Sequence, residues 1–170
     1  RLMGLCPGLH ILGARPSMGK TAAMLFMASA DMTTPSYIGS LEMPENRLIQ
    51  RMMACLGNMP LAALKDPAKH MDSYWHSLTV AMTMLKDAPF YIRAKGGLTV
   101  EEMRRDVLEI AERHGTVGFI GVDYLQKVPS RKDYGSRHDM AIGEVAEDLK
   151  KLGDEVGAPV MALAQLNRAL

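Results

Sequence analysis

The sequence predicts an α/β fold with a mostly parallel central sheet flanked by helices. Apolar runs of strand length alternate along the chain with longer segments whose apolar residues recur at helical spacing. Strands that are connected through helices typically pair in parallel by right-handed crossovers. The 170 residues are enough for one domain with a stable core, and their composition is that of an ordinary globular protein.

Turn residues between the apolar runs place the individual elements. The predicted strands cover 9–12, 36–41, 89–92, 117–122 and 159–164. The predicted helices cover about 20–30, 44–56, 60–87, 99–114 and 142–156. Thr99 and Glu102 have the spacing of a capping box at the start of the fourth helix. Since ligands of parallel sheets bind at the carboxyl ends of the strands, the residues that follow each strand are the candidates for function.

The turn after the first strand has the pattern of a phosphate-binding loop. Its residues are Gly13, Ala14, Arg15, Pro16, Ser17, Met18, Gly19, Lys20 and Thr21. Backbone N–H groups of such a loop, and the N-terminus of the helix that follows, can hold phosphate oxygens. Lys20 supplies a charge for the outer phosphates and Thr21 a hydroxyl for Mg²⁺. The strict pattern has a glycine where Ala14 stands, and a chance match that merely opens a helix is the alternative.

Three polar residues directly follow later strands. Asp123 suits a carboxylate that holds Mg²⁺, Glu42 a base that activates water, and Gln165 an amide that senses the terminal phosphate. Each residue also has a simpler interpretation. Asp123 then caps a turn, Glu42 is a surface carboxylate near a helix start, and Gln165 is a polar strand-end residue. The phosphate-binding loop upstream favours the metal-binding interpretation of Asp123.

The charge pattern restricts where a nucleic acid would bind. The formal net charge is +1, so any such affinity must come from a local patch. The segment 127–138, here called the basic loop, carries Arg131, Lys132 and Arg137 together with Tyr134, which could stack on a base. A solvated loop is the alternative, because acidic residues within and beside it dilute its charge.

Cysteine usage and the lack of targeting signals indicate the compartment. Cys6 and Cys55 have neither disulfide nor zinc-site spacing. The sequence shows no signal peptide and no apolar run long enough to span a bilayer. We therefore expect a cytoplasmic protein without a membrane association.

Several motifs, taken in order, resemble those of DnaB-type replicative helicases. They are the segments 14–21, 40–43, 122–126 and 165–168, with 97–102 as a further piece. The resemblance covers nearly the whole chain, and alanine at position 14 is normal in that family. The sequence differs from the family pattern at Arg93, Ala94 and Lys95, where the family often has acidic residues.

The resemblance implies the C-terminal motor domain of a ring-shaped homo-hexamer, with a RecA-like P-loop NTPase fold. It implies ATP and Mg²⁺ as cofactors, single-stranded DNA in the central channel, and a primase and a helicase loader as further partners. By motif match, the segment 14–21 binds nucleotide, with Thr21 and Asp123 at the metal. Glu42 is then the catalytic base and Gln165 the phosphate sensor.

For DNA, the resemblance implies a contact near Arg168 and, in the basic loop, at Arg131, Lys132 and Arg137. The family's N-terminal helical domain would precede Arg1, and its arginine finger would follow Leu170. We therefore expect a single motor domain that is a fragment of a longer subunit. The alternatives are a RecA-type recombinase-like ATPase and a shortened, non-catalytic module that binds nucleotide.

Overall fold

The central sheet has five parallel strands, as the sequence predicts. The computed structural model describes residues 4–166, apart from the side chains of residues 67, 68, 70 and 71. The strands are β1 (Gly8–Ala14), β2 (Ser36–Ser40), β3 (Phe90–Ala94), β4 (Phe119–Asp123) and β5 (Pro159–Gln165). Their order across the sheet is β1-β5-β4-β2-β3. The α/β prediction is therefore confirmed.

Helices connect the strands. They are α1 (Lys20–Ala28), α2 (Glu45–Leu56), α3 (Leu61–Lys65), α4 (Pro67–Asp87), α5 (Val100–His114) and α6 (His138–Val156), with a 3₁₀ turn at Leu125–Lys127. The segment 60–87, predicted as helical, divides into α3 and α4, because Pro67 has no backbone N–H and begins a new helix. In the described residues, none of the helices is both long and apolar enough to cross a membrane.

The helices cover the two faces of the sheet, and each face has its own apolar core. Successive strand residues point to opposite faces, so Tyr37 packs with α5 and α6, whereas Ile38 packs with α1 and α2. Both side chains are almost completely buried. This arrangement leaves the two ends of the sheet, where the strands begin and where they stop, accessible from outside.

Polar contacts fasten the edge strand β3 to α5. Arg93 Nη1 donates to both carboxylate oxygens of Asp106, at 2.9 and 3.1 Å. The Tyr37 hydroxyl donates to the same carboxylate at 3.1 Å, and burial raises the pKa of Tyr37 well above its usual range. Glu102 pairs with Lys95 and also completes the predicted capping box with Thr99. The basic residues at 93 and 95 thus act as partners for acids on α5.

Candidate nucleotide-binding site

The carboxyl ends of β1, β2, β4 and β5 border one cleft of about 410 Å³. We call it the strand-end cleft. Its lining residues are Pro16, Ser17, Met18, Gly19, Lys20, Thr21, Glu42, Met43, Arg51, Asp123, Tyr124 and Gln165. The structure therefore brings together the predicted loop and all three polar residues predicted at later strand ends. Their catalytic roles stay predictions.

The loop between β1 and α1 has the backbone geometry of an anion site. Ser17 and Gly19 have left-handed conformations, with φ of 63° and 83°. A Cβ at Gly19 would meet no atom within 4 Å, so it is the backbone conformation that favours glycine there. Among the described residues, no side chain caps α1, and its first turn has no acidic residue. The positive end of the helix dipole therefore borders the cleft without a carboxylate from the first turn of α1 itself.

Lys20, the first residue of α1, turns back toward the loop. Its Nζ donates to the carbonyl oxygen of Ala14 at 2.7 Å and to that of Arg15 at 3.2 Å. These two contacts hold the ammonium group at the loop and on the border of the strand-end cleft. A fixed positive charge is thereby combined with the helix N-terminus, which is the arrangement that suits the outer phosphates of a nucleotide.

Thr21 and Asp123 meet on the floor of the cleft. The Thr21 hydroxyl donates to Asp123 Oδ2 at 2.8 Å, and Asp123 is only 4% exposed. Burial raises the pKa of the Asp123 carboxyl; the Thr21 hydrogen bond opposes this, and the charge of Glu42 adds to it. A hydroxyl beside a carboxylate is a set of hard oxygen donors and fits Mg²⁺. Within residues 4–166 no group of three or more His, Cys, Asp or Glu side chains is placed so that it could hold a metal ion, so a magnesium ion here would also need oxygen ligands from phosphate or water.

Glu42 lies in the turn after β2, and a buried serine shapes that turn. The Ser40 hydroxyl donates to the carbonyl of Met43 at 2.8 Å and accepts from its N–H at 3.1 Å. The backbone N–H of Leu41 donates to the Asp123 carbonyl at 2.8 Å, which ties the turn to the end of β4. The Glu42 side chain is exposed and borders the cleft, so it can reach a water molecule there.

Gln165 is the last residue of β5 and pairs in register with Ala14, the last residue of β1. It is half-buried, and it borders the cleft beside the phosphate-binding loop. The parallel register explains this neighbourhood, because strands that end together bring their last residues to the same edge.

Arg51 is a residue of the cleft that the sequence analysis missed. It is half-buried on α2, and its charge opposes the rise in the pKa of Asp123 that burial causes. Arg51 follows Leu48 by three residues and precedes Met52, both of which are buried, so it lies beside the packed face of the helix. Its place in the cleft depends on how α2 packs across the strand ends, which its position in the sequence does not indicate.

The predicted DNA-binding residues differ in their surroundings. The Arg131 guanidinium lies within 3.6 Å of carboxylates of Glu101, Glu144 and Asp148, the shortest contact being 2.9 Å to Asp148. Lys132 and Arg137 are exposed. Arg131 thus joins the basic loop to α5 and α6. Arg168 lies outside the described residues.

A larger cleft, of about 550 Å³, lies at the opposite edge of the sheet, where the strands begin. Asp31 on its border accepts hydrogen bonds from Thr33 and Thr34, which hold the pKa of this carboxyl well below its usual range. Asp31 therefore has a structural role in the turn before β2. Volume alone does not decide between the two clefts; the loop between β1 and α1, with the polar residues around it, makes the strand-end cleft the candidate site.

Comparison with known sequences identifies relatives along the whole chain. The family model described as the DnaB-like helicase C terminal domain matches residues 1–170. The replicative DNA helicase DnaB of Buchnera aphidicola is 36% identical over 173 residues, covering 98% of this chain and 37% of the relative. The DnaB of Helicobacter pylori is 32% identical over 164 residues, covering 95% of this chain and 33% of the relative. The chain therefore spans about a third of the length of these two relatives.

Solved structures have the same fold. A structure described as a DnaB-like replicative helicase and its interactions with primase has a TM-score of 0.86 at 27% identity, covering 95% of this chain and 39% of that chain. A structure described as an ATPase domain has a TM-score of 0.87 at 27% identity, covering 95% of this chain and 58% of that chain. The match of the family model over the full 170 residues, together with these relatives, shows that the chain belongs to the family of DnaB-like helicase C-terminal domains.

Proposed function

We propose that the chain is the ATP-hydrolysing motor domain of a replicative DNA helicase, which translocates on single-stranded DNA and unwinds duplex. The observation that carries the proposal is the strand-end cleft, which combines a phosphate-binding loop with Glu42, Asp123 and Gln165. Membership of the DnaB-like family supports it. The helicase names belong to relatives that are longer than this chain.

The nucleotide binds first through backbone groups. The phosphates lie in the loop 14–21, against the N-terminus of α1, with Lys20 at the outer phosphates. Thr21 and Asp123 hold Mg²⁺, directly or through water. A magnesium ion bound there would neutralise charge on the phosphate oxygens. The hydrogen bond between Thr21 and Asp123 already holds these two oxygen ligands 2.8 Å apart.

Hydrolysis then depends on three side chains around the bound phosphates. Glu42 accepts a proton from the attacking water, which suits an exposed carboxylate on a short, fixed turn. Arg51 supplies a positive charge from α2 on the same border of the cleft. Gln165 detects the terminal phosphate through its side-chain amide and passes the change on to the segment that follows.

The proposal extends to partners. The motor works in a homo-hexamer around single-stranded DNA, with a primase and a helicase loader as further partners. Lys132 and Arg137 are exposed and are proposed to contact DNA phosphates, as is Arg168. Arg131 is proposed to contribute as well, but only after leaving its acidic partners on α5 and α6.

The sequence leaves two other functions open. The family match favours the helicase over a recombinase-like ATPase. A non-catalytic module that binds nucleotide differs from the motor in turnover. ATP hydrolysis with and without single-stranded DNA, measured in the helicase assembly that contains the chain, separates the two. A motor hydrolyses ATP faster on DNA, and Glu42→Gln is expected to abolish that hydrolysis. Binding of ATP without hydrolysis at any DNA concentration would refute the motor function.

A further inference from the structure

The side chain of Gln126 makes two hydrogen bonds with the main chain of Gln165. Gln126 Nε2 donates to the Gln165 carbonyl oxygen at 3.1 Å, and Gln126 Oε1 accepts from the Gln165 N–H at 3.3 Å. The primary amide of a glutamine presents an N–H donor and a C=O acceptor on the same side, as the N–H and C=O of a single residue in an extended strand do. The glutamine therefore pairs with a strand residue much as a neighbouring strand would.

The contact lies where β5 extends beyond the end of its neighbour β4. The pairing of β4 with β5 ends at Val122 and Ala162, and β4 stops at Asp123, whereas β5 continues to Gln165. The last residues of β5 thus extend beyond the strand that supports them. Gln126, in the 3₁₀ turn just after β4, occupies that side of Gln165.

The other side of Gln165 is held by β1. Gln165 pairs with Ala14, and the N–H of Leu166 donates to the Ala14 carbonyl at 3.2 Å. Lys20 donates to that same carbonyl. The main chain of Gln165 is consequently fixed between the phosphate-binding loop on one side and the 3₁₀ turn on the other.

We infer that Gln126 is a positioning residue, which holds the main chain of Gln165 so that the Gln165 amide meets the terminal phosphate. The inference rests on the sensor role of Gln165 in the proposed function. Gln126 stands one residue before the basic loop, so the two hydrogen bonds join that loop to the phosphate sensor by a short path. If DNA displaces the basic loop, Gln126 therefore moves with it and shifts the main chain of Gln165.

Two measurements test this, using Gln126→Met, which keeps the length of the side chain and removes both hydrogen bonds. First, amide hydrogen exchange at Gln165 is expected to accelerate, because its N–H loses an acceptor. Second, DNA-stimulated ATP hydrolysis in the helicase assembly is expected to fall by about 2- to 10-fold for each lost hydrogen bond, with unchanged affinity for Mg²⁺-ATP. Gln50→Met, on α2 and outside the lining of the cleft, is the matched control.

A double-mutant cycle with Gln165→Ala decides whether Gln126 acts through the sensor. In the Gln165→Ala background, Gln126→Met should cause no further loss of DNA-stimulated hydrolysis, because the Gln165 side chain that Gln126 positions is absent. Additive losses, or unchanged exchange and turnover in the single variant, would overturn the inference while leaving the motor intact. Full DNA stimulation in Gln165→Ala alone would instead remove the sensor role from the proposed function, and the inference with it.

Discussion

Ser40→Ala should slow hydrolysis without weakening nucleotide binding. Ser40 is 1% exposed, and its hydroxyl makes both contacts that close the turn carrying Glu42, to the carbonyl and to the N–H of Met43. Alanine fits the same space but leaves these two backbone groups without their partner. The turn can then relax, and Glu42 moves relative to the phosphates.

The magnitude follows from the two lost contacts. At a net ~0.5–1.5 kcal/mol per hydrogen bond, the free energy of unfolding should fall by about 1–3 kcal/mol. For a domain of this size that lowers Tm by roughly 2–12 °C. A displacement of the base by about 1 Å would slow the chemical step on the order of 10²-fold. Thermal unfolding, equilibrium binding of Mg²⁺-ATP and single-turnover hydrolysis measure the three quantities separately.

Ser36→Ala provides the matched control. Ser36 is on the same strand, is 2% exposed, and its hydroxyl donates to the Ala28 carbonyl at 3.1 Å, at the far end of β2 from the cleft. It should lower Tm by a comparable or smaller amount and leave the rate of hydrolysis unchanged. If the two alanine variants hydrolyse ATP equally fast at a temperature where both are folded, the reasoning that Ser40 positions Glu42 is wrong.

Two further predictions concern charge. Because burial raises the pKa of Asp123, its ionised form destabilises the nucleotide-free fold, so stability contributed by this group is present below the unfolded pKa of ~3.9 and is lost as pH rises through the higher folded value. Asp123→Asn should therefore raise Tm at neutral pH while abolishing Mg²⁺-dependent hydrolysis. A lower Tm in this variant would contradict a raised pKa of Asp123. Replacing Lys132 and Arg137 by Gln should reduce the log–log salt dependence of single-strand binding by about 0.7 per lost contact, as read from titrations at several salt concentrations. An unchanged slope would favour the solvated-loop interpretation.

The elements around the cleft are predictable because their signals are local. Apolar strand-length runs, and the loop from Ala14 to Thr21, can be recognised without knowing any distant contact. Since parallel strands present their ligand at the carboxyl ends, the positions of Glu42, Asp123 and Gln165 just after three of those runs predict that the three side chains lie together. The pattern over 60–87 predicts one helical segment, whereas the chain forms two helices there, α3 and α4.

Long-range partners are beyond sequence reasoning. Arg51 enters the cleft only because α2 crosses the strand ends, an angle that packing sets. Arg131 pairs with Glu144 and Asp148, which lie on a helix that begins seven residues later. The amide of Gln126 meets a residue 39 positions away. In each case the residue type is visible in the sequence, but its partner depends on the tertiary fold.

The central claim is most directly tested by comparing Mg²⁺-ATP binding and single-turnover hydrolysis in Lys20→Ala and Glu42→Gln. Lys20 provides the charge at the phosphate-binding loop, so its alanine variant should lose affinity and turnover together. Glu42→Gln keeps the shape of the side chain and lowers its basicity, so affinity should persist while hydrolysis falls by ~10²–10⁴-fold. Unchanged affinity in Lys20→Ala, or unchanged hydrolysis in Glu42→Gln, would contradict the assignment of the strand-end cleft as the site of ATP hydrolysis.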